Sequence, residues 1–288
     1  MSKVEKDEVS GTDTTGHEWD GIKELDTPMP RWWLWTFYAC ILWAVGYWVV
    51  MPAWPLISDH TRGMLGYSSR ANVEQELAAL EESRSDVLTA LRETELSEVK
   101  DNPELYQFAL TGGRSHFAVN CSQCHGSGAQ GGPGFPNLND DDWLWGGTVD
   151  DIYQTIQYGI RSDHEDTRLG NMPAFLKDEI LERGQVSDVA EYVLSLSQEG
   201  RDPEAVARGA EVFTEQCVAC HGENAKGNQD LGAPNLTDAI WFYGGDKETI
   251  YTTIANGRGN VMPAWEQRLD DAVIRQIALY VHSLGGGE

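Results

Sequence analysis

The feature that most constrains this chain is the pentapeptide Cys121-Ser122-Gln123-Cys124-His125, because it occurs twice. Cys217-Val218-Ala219-Cys220-His221 repeats it 96 positions later. Two thiols three residues apart reach the two vinyl groups of one porphyrin and form thioethers. The next residue, a His, lies beneath the ring and ligates iron through an imidazole nitrogen. A single copy also suits a redox dithiol or half a zinc site. The repetition selects two covalently bound haem c groups, held by Cys121 and Cys124 and by Cys217 and Cys220, with His125 and His221 as axial ligands.

The repeat extends well past the signature. Gly113 and Phe117 recur as Gly209 and Phe213, and Pro136-Asn137-Leu138 as Pro234-Asn235-Leu236. Trp143-Leu144-Trp145-Gly146-Gly147 recurs as Trp241-Phe242-Tyr243-Gly244-Gly245, and Tyr192-Val193 as Tyr280-Val281. Two similar domains in tandem is the direct reading. Asn171-Met172-Pro173-Ala174-Phe175 matches Val261-Met262-Pro263-Ala264-Trp265 at a shorter offset, so the first copy carries a longer loop before its Met. A thioether is a soft neutral ligand that suits haem iron, and His/Met ligation raises the reduction potential. Two Met residues in register behind two haem signatures read as Met172 and Met262 ligating iron rather than filling a core. Each is assigned to the haem of its own repeat, although two motifs so alike leave exchange open. A six-coordinate iron moves electrons and offers no vacancy for a substrate, so no catalytic residue is assigned.

The 288 residues accommodate two domains of about 100 residues with material left over. Four of the five Cys serve haem, and Cys40 lies in an apolar run as a small packing residue. The formal net charge of −25 argues against nucleic acid and favours a basic partner, unless the charge serves only solubility. The seven His are scattered, with no cluster to hold copper.

Residues 1–31 are polar and acidic and read as a mostly disordered tail. Trp32 to Met51 contains no charge, which is enough to span a bilayer as one helix. Trp32, Trp33, Trp35, Trp48 and Trp54 gather at its ends, where aromatic rings favour the interface. Residues 32–56 are therefore an uncleaved transmembrane anchor. Covalent haem attachment occurs on the outer side of the bacterial inner membrane, which places the tail in the cytoplasm and the haem domains in the periplasm. Residues 57–106 form a helical connector with an apolar stripe from Asn72 to about Leu96, packed on the first haem domain or on a partner, or simply solvated. Pro103 is expected to end it. Residues 107–198 form the first haem domain, entered by a helix near Gly113–Asn120. Arg201-Asp202-Pro203 is the linker, and residues 204–286 form the second domain. The fold class is all-α. His164 and His116 are expected at the surface, and Asp140-Asp141-Asp142 as a solvated loop or a dock for a basic protein.

The two domains resemble the cytochrome c fold. By that similarity, the carbonyls of Pro136 and Pro234 accept the second N–H of His125 and His221. Asp20-Gly21-Ile22, Glu24-Leu25-Asp26, Pro28-Met29-Pro30-Arg31-Trp32-Trp33 and Pro52-Ala53-Trp54-Pro55 resemble the anchor region of the dihaem (FixP/CcoP) subunit of cbb(3)-type cytochrome c oxidases. That resemblance covers almost the whole chain. It implies an electron relay that is not catalytic alone. Electrons come from a basic soluble or membrane cytochrome c, or from the bc complex. They pass to a monohaem cytochrome c subunit and a haem–copper catalytic subunit, where oxygen is reduced and protons are pumped. Two other classes compete: a free-standing membrane-anchored dihaem shuttle, and a haem enzyme or gas sensor, which would need an open sixth position.

Overall fold

The computed structural model describes residues 4–197, 202–238 and 240–286, and the chain divides into two units, Met1–Ser83 and Arg84–Glu288. In the first unit, residues 14–25 are not the structureless tail that composition suggested. β1 (Thr14–Trp19) and β2 (Ile22–Leu25) form an antiparallel hairpin, with Trp19 opposite Ile22. The turn is Asp20-Gly21, with φ of 48° and 86°. Asp-Gly in this left-handed conformation is a strong two-residue hairpin signal, and it stood in the sequence.

Helix α1 (Arg31–Val50) follows, and none of its side chains is buried. Among the described residues it is the one helix long and apolar enough to cross a membrane. It ends before Pro52, and the start of the expected connector folds back over the helix end. The N–H groups of Met64 and Leu65 donate to the carbonyls of Val49 and Val50 at 3.0 and 3.1 Å. Carbonyls that a helix terminus would leave unpaired are thereby satisfied.

Helix α2 (Ser69–Glu93) runs through the division between the units. A 3-10 turn (Leu96–Asp101) then leads to α3 (Pro103–Asn120). Pro103 opens this helix rather than closing the previous one. The side chain of Asn102 accepts the Leu105 N–H at 3.2 Å, and proline at the first helical position lacks only a donor that would be unpaired there anyway. The same device starts the later helix Pro203–Gln216, where Asp202 accepts from Glu204 and Ala205 at 3.0 and 3.2 Å ahead of Pro203. Arg201 and the expected domain end at 198 lie outside the described residues.

The remaining helices are α4 (Ser122–His125), α5 (Val149–Tyr158), α6 (Arg183–Ser197), α7 (Pro203–Gln216), α8 (Val218–His221), α9 (Lys247–Asn256) and α10 (Asp271–His282). They build two cores, and each core mixes the repeats. In the first, Leu105, Ala109 and Phe117 of α3 and Ile152 and Ile156 of α5 meet Ile274, Ile277, Ala278 and Val281 of α10. In the second, Val212 and Phe213 of α7 and Ile250 and Ile254 of α9 meet Val186, Val189, Ala190 and Val193 of α6. The opening helix of each repeat thus packs on the closing helix of the other. A Cβ on Gly113 would strike the carbonyl of Gln276 and the Cβ of Tyr280; one on Gly209 would strike the carbonyl of Asp188 and the Cβ of Tyr192. Phe117 lies 5.6 Å from Tyr280 and Phe213 lies 5.1 Å from Tyr192, both as tilted ring pairs. The sequence repeats are contiguous, whereas the packing units exchange their closing segments.

Candidate haem sites and their crossed Met segments

Each signature sits where a long helix gives way to a single turn. The Cys121 N–H donates to the Phe117 carbonyl and that of Cys217 to the Phe213 carbonyl, both at 2.9 Å. The single turns α4 and α8 then carry Cys124 and His125, and Cys220 and His221. Burial holds the pKa of His125 and His221 below the ordinary value, which favours the neutral imidazole. Nδ1 of His125 lies 3.2 Å from the Pro136 carbonyl oxygen, and Nδ1 of His221 lies 3.1 Å from that of Pro234. Each Nδ1–H donates to the carbonyl, which orients the ring and leaves Nε2 as the free ligand atom. Burial, with Cys124 and Cys220 beside them, pushes the Cys121 and Cys217 thiols up to about 11. A redox dithiol depends on a lowered thiol pKa, so this environment disfavours that reading.

The distal sides carry the exchange. Ile160 and Met262 trade backbone hydrogen bonds at 2.9 and 3.0 Å. Met172 and Arg258 do the same at 3.1 and 3.2 Å. Ile160 and Arg258 are equivalent residues, each just past the glycine that ends α5 or α9. Those glycines, Gly159 and Gly257, have φ of 73° and 69°, and a Cβ on either would run into the backbone of the opposite Met-Pro segment. Met262 consequently packs against the first core, which contains Cys121 and Phe117, and Met172 against the second, which contains Cys217 and Phe213. The expectation that each Met stays with its own repeat does not match this packing.

One continuous cavity of about 740 Å³ is lined by all four signature Cys, His125, His221, Met172, Met262, Pro136 and Pro234. Its walls are apolar, with Phe117, Ile156 and Ile277 on one side and Val189, Phe213 and Ile254 on the other. Two paired thiols, an imidazole and a thioether at the wall of an apolar cleft form the donor set of haem c, and the residues present fit that group. Among the described residues, no group of three or more His, Cys, Asp or Glu is placed to hold a metal ion.

The extra loop of the first repeat is a strap rather than a free surface segment. His164 is buried to 11 % side-chain exposure, stacks on Tyr158 at 4.8 Å and lies 2.7 Å from Glu266 through Nε2. Its Nδ1 accepts the Asp166 N–H at 3.0 Å, so Nε2–H is the donor to Glu266. Arg161 adds a bond from Nε to the Asn260 carbonyl at 2.6 Å. Asp142 also departs from the expected solvated run. Its Oδ2 is buried without a hydrogen-bond partner, and burial, with Asp238 and Asp140 nearby, raises its pKa to about 6. Sequence reasoning passed over Gly159 and Gly257, whose signal was recurrence at equal offset, and Ile160 and Arg258, which follow them.

A family model described as the N-terminal domain of cytochrome oxidase-cbb3, FixP, matches residues 11–58. Another, described as cytochrome c oxidase, cbb3-type, subunit III, matches residues 108–193 and again 204–281. The chain is 56% identical to the cbb3-type cytochrome c oxidase subunit FixP of Bradyrhizobium sp. (strain ORS 278), over 99% of this chain and 98% of the relative. It is 57% identical to the FixP subunit of Bradyrhizobium diazoefficiens over the same shares, and 52% identical to the CcoP subunit of Azospirillum brasilense over all of both chains.

Proposed function

We propose that this chain, which belongs to the FixP/CcoP family of cbb(3)-type cytochrome c oxidase subunits, holds two haem c groups in crossed ligation and passes electrons between them. At the coarser level, it is a cytochrome c electron-transfer subunit of the oxidase complex and an inner-membrane protein carrying a transmembrane helix. When bound, haem c supplies a one-electron carrier whose potential His/Met ligation raises. The chain's own residues do the rest. Cys121 and Cys124 fix one ring and Cys217 and Cys220 the other. His125 with Met262, and His221 with Met172, would hold the iron of each group. Pro136 and Pro234 orient the imidazoles, and the apolar walls exclude water.

The observation that carries the crossed assignment is the reciprocal backbone pairing of Met262 with Ile160 and of Met172 with Arg258. In the proposed complex, electrons arrive from a basic cytochrome c or the bc complex, which the net charge of −25 favours. They leave for the monohaem cytochrome c subunit and the haem–copper subunit. Residues 1–31 face the cytoplasm and the haem unit faces the periplasm, where covalent attachment takes place. The named relatives are oxidase subunits throughout, which supports this role over a free-standing shuttle.

Purification through a tag on this chain in mild detergent tests the role. Co-purification of a haem–copper subunit with oxygen uptake from reduced cytochrome c is expected; a chain isolated alone with two haems and no uptake returns it to a shuttle. Carbon monoxide tests the ligation. In a Cys217→Ser/Cys220→Ser variant that carries only the first haem, Met262→Ala is expected to admit carbon monoxide and Met172→Ala to leave the iron closed. The opposite pattern restores each Met to its own repeat.

A further inference from the structure

The ligand set leaves out two aromatic side chains, Trp145 and Tyr243, whose placement crosses between the pockets as the Met residues do. In each repeat the aromatic-x-aromatic segment splits. Trp143 packs in the first core, where its Nε1 donates to the Gly286 carbonyl, and Trp241 packs in the second. The ring two residues further on goes the other way. Trp145 is only 7 % exposed and lies against Gly232 and Gly170, with its Cη2 3.0 Å from where a Cβ on Gly170 would stand. Gly232 precedes Pro234 by two residues and Gly170 precedes Met172 by two. The indole therefore touches the two segments that set the His221 and Met172 sides of the second pocket.

Tyr243 repeats the arrangement in the first pocket. It lies against Gly134, two residues before Pro136, with its Cε1 3.0 Å from where a Cβ on Gly134 would stand. The Gly134 carbonyl accepts the side-chain amide of Asn260 at 2.8 Å, two residues before Met262, and the Gly134 N–H donates to the Phe242 carbonyl at 2.7 Å. An arginine covers each ring. The guanidinium carbon of Arg168 lies 5.6 Å from the Trp145 ring centre, and that of Arg258 lies 3.7 Å from the Tyr243 ring centre. Both arginines are pinned, Arg168 by the Asp151 carbonyl at 3.2 Å and Gln154 Oε1 at 3.1 Å, Arg258 by Thr253 Oγ1 at 3.1 and 2.8 Å. Both rings line the common cavity.

We propose that Trp145 and Tyr243 are positioning residues for the haem of the opposite repeat, and that the two rings together wall the gap between the haems. This rests on the two-haem reading above. Removing a ring lets water reach the haem it shields, and water stabilises the ferric state and lowers the potential. The test is a redox titration of the full-length holoprotein, with the two haems told apart beforehand by Met172→His and Met262→His. Trp145→Ala is expected to lower the potential of the haem ligated by Met172 and to leave the other in place. Tyr243→Ala does the reverse. In each Ala variant, electron equilibration between the haems after flash reduction slows. Trp145→Phe keeps a ring against Gly232 and Gly170 and retains most of the potential.

Persistence of both Met–iron charge-transfer bands in the variants shows that fold and ligation survive. With the bands present, a Trp145→Ala potential shift confined to the haem ligated by Met262, or no shift in either haem, overturns this inference alone. Absence of the bands in the unaltered protein overturns the ligation itself.

Discussion

Asp142 stands in an environment that opposes its charge. Its Oδ2 has neither solvent nor a partner, and Asp238 and Asp140 add repulsion. A carboxyl whose pKa rises from 3.8 in the unfolded chain to about 6 in the folded one holds its proton more tightly when folded. Folded stability therefore falls as pH climbs through that window, and the full penalty stands at neutral pH. Asp142→Asn keeps the shape and removes the charge. It should raise the melting temperature of the holoprotein at pH 7, with the advantage shrinking as pH falls through about 6 and vanishing below 3.8. Thermal melts from pH 4 to 8 check this; an advantage that does not change with pH would show that the buried charge is not the cause.

At the scale of the element, the end of α2 shows how a connector becomes part of a haem unit. Leu91 is fully buried in the first core, with Val87 and Leu88 against it. Arg275 donates from Nη1 to the carbonyls of Leu91 and Thr94 at 3.3 and 3.0 Å, capping the helix end with a positive group. Arg92 reaches Asp270 at 2.7 Å, but both side chains are about half exposed. The apolar anchor should outweigh the ion pair. Leu91→Ala is expected to cost about 2–5 kcal/mol through the cavity it leaves, and Arg92→Ala no more than about 1 kcal/mol. Denaturant titrations of the two variants rank them; a larger loss at Arg92 would reverse the assignment. Further up the same stripe, Val73, Leu77 and Leu80 are exposed.

On the scale of the whole molecule, the exchange of closing segments makes the two haem sites one folding unit. The first repeat alone holds Cys121, Cys124 and His125 yet lacks Met262, the ligand proposed for it, and α10, which supplies a large part of its core. A fragment ending before Pro203 should therefore fail to form a stable His/Met cytochrome. Co-expression with the complementary fragment should restore both sites. Absorption spectroscopy of the Met–iron band and protease resistance read the outcome. A fragment that folds alone with a Met-ligated iron would mean that its own Met172 suffices.

The sequence by itself determined everything that depends on short covalent spacing. Cys-x-x-Cys-His sets thioether and imidazole geometry within five residues. The resemblance to cytochrome c, rather than spacing, supplied Pro136 and Pro234 as the carbonyl partners of His125 and His221. The uncharged run from Trp32 to Met51 suffices for α1, and Asp20-Gly21 held a hairpin that acidic composition obscured. The partner of each Met was decided only by the tertiary structure. Both repeats present the same Gly and Phe on the opening helix and the same Tyr on the closing one, so local pattern fits either pairing equally well. Chain geometry breaks the tie. Ser197 ends α6 just before Pro203 begins α7, so these two helices pair across a short connection at little loop-closure cost. Once they have paired, α10 is the closing helix left for α3, and Met262 and Met172 travel with their helices into the opposite pockets.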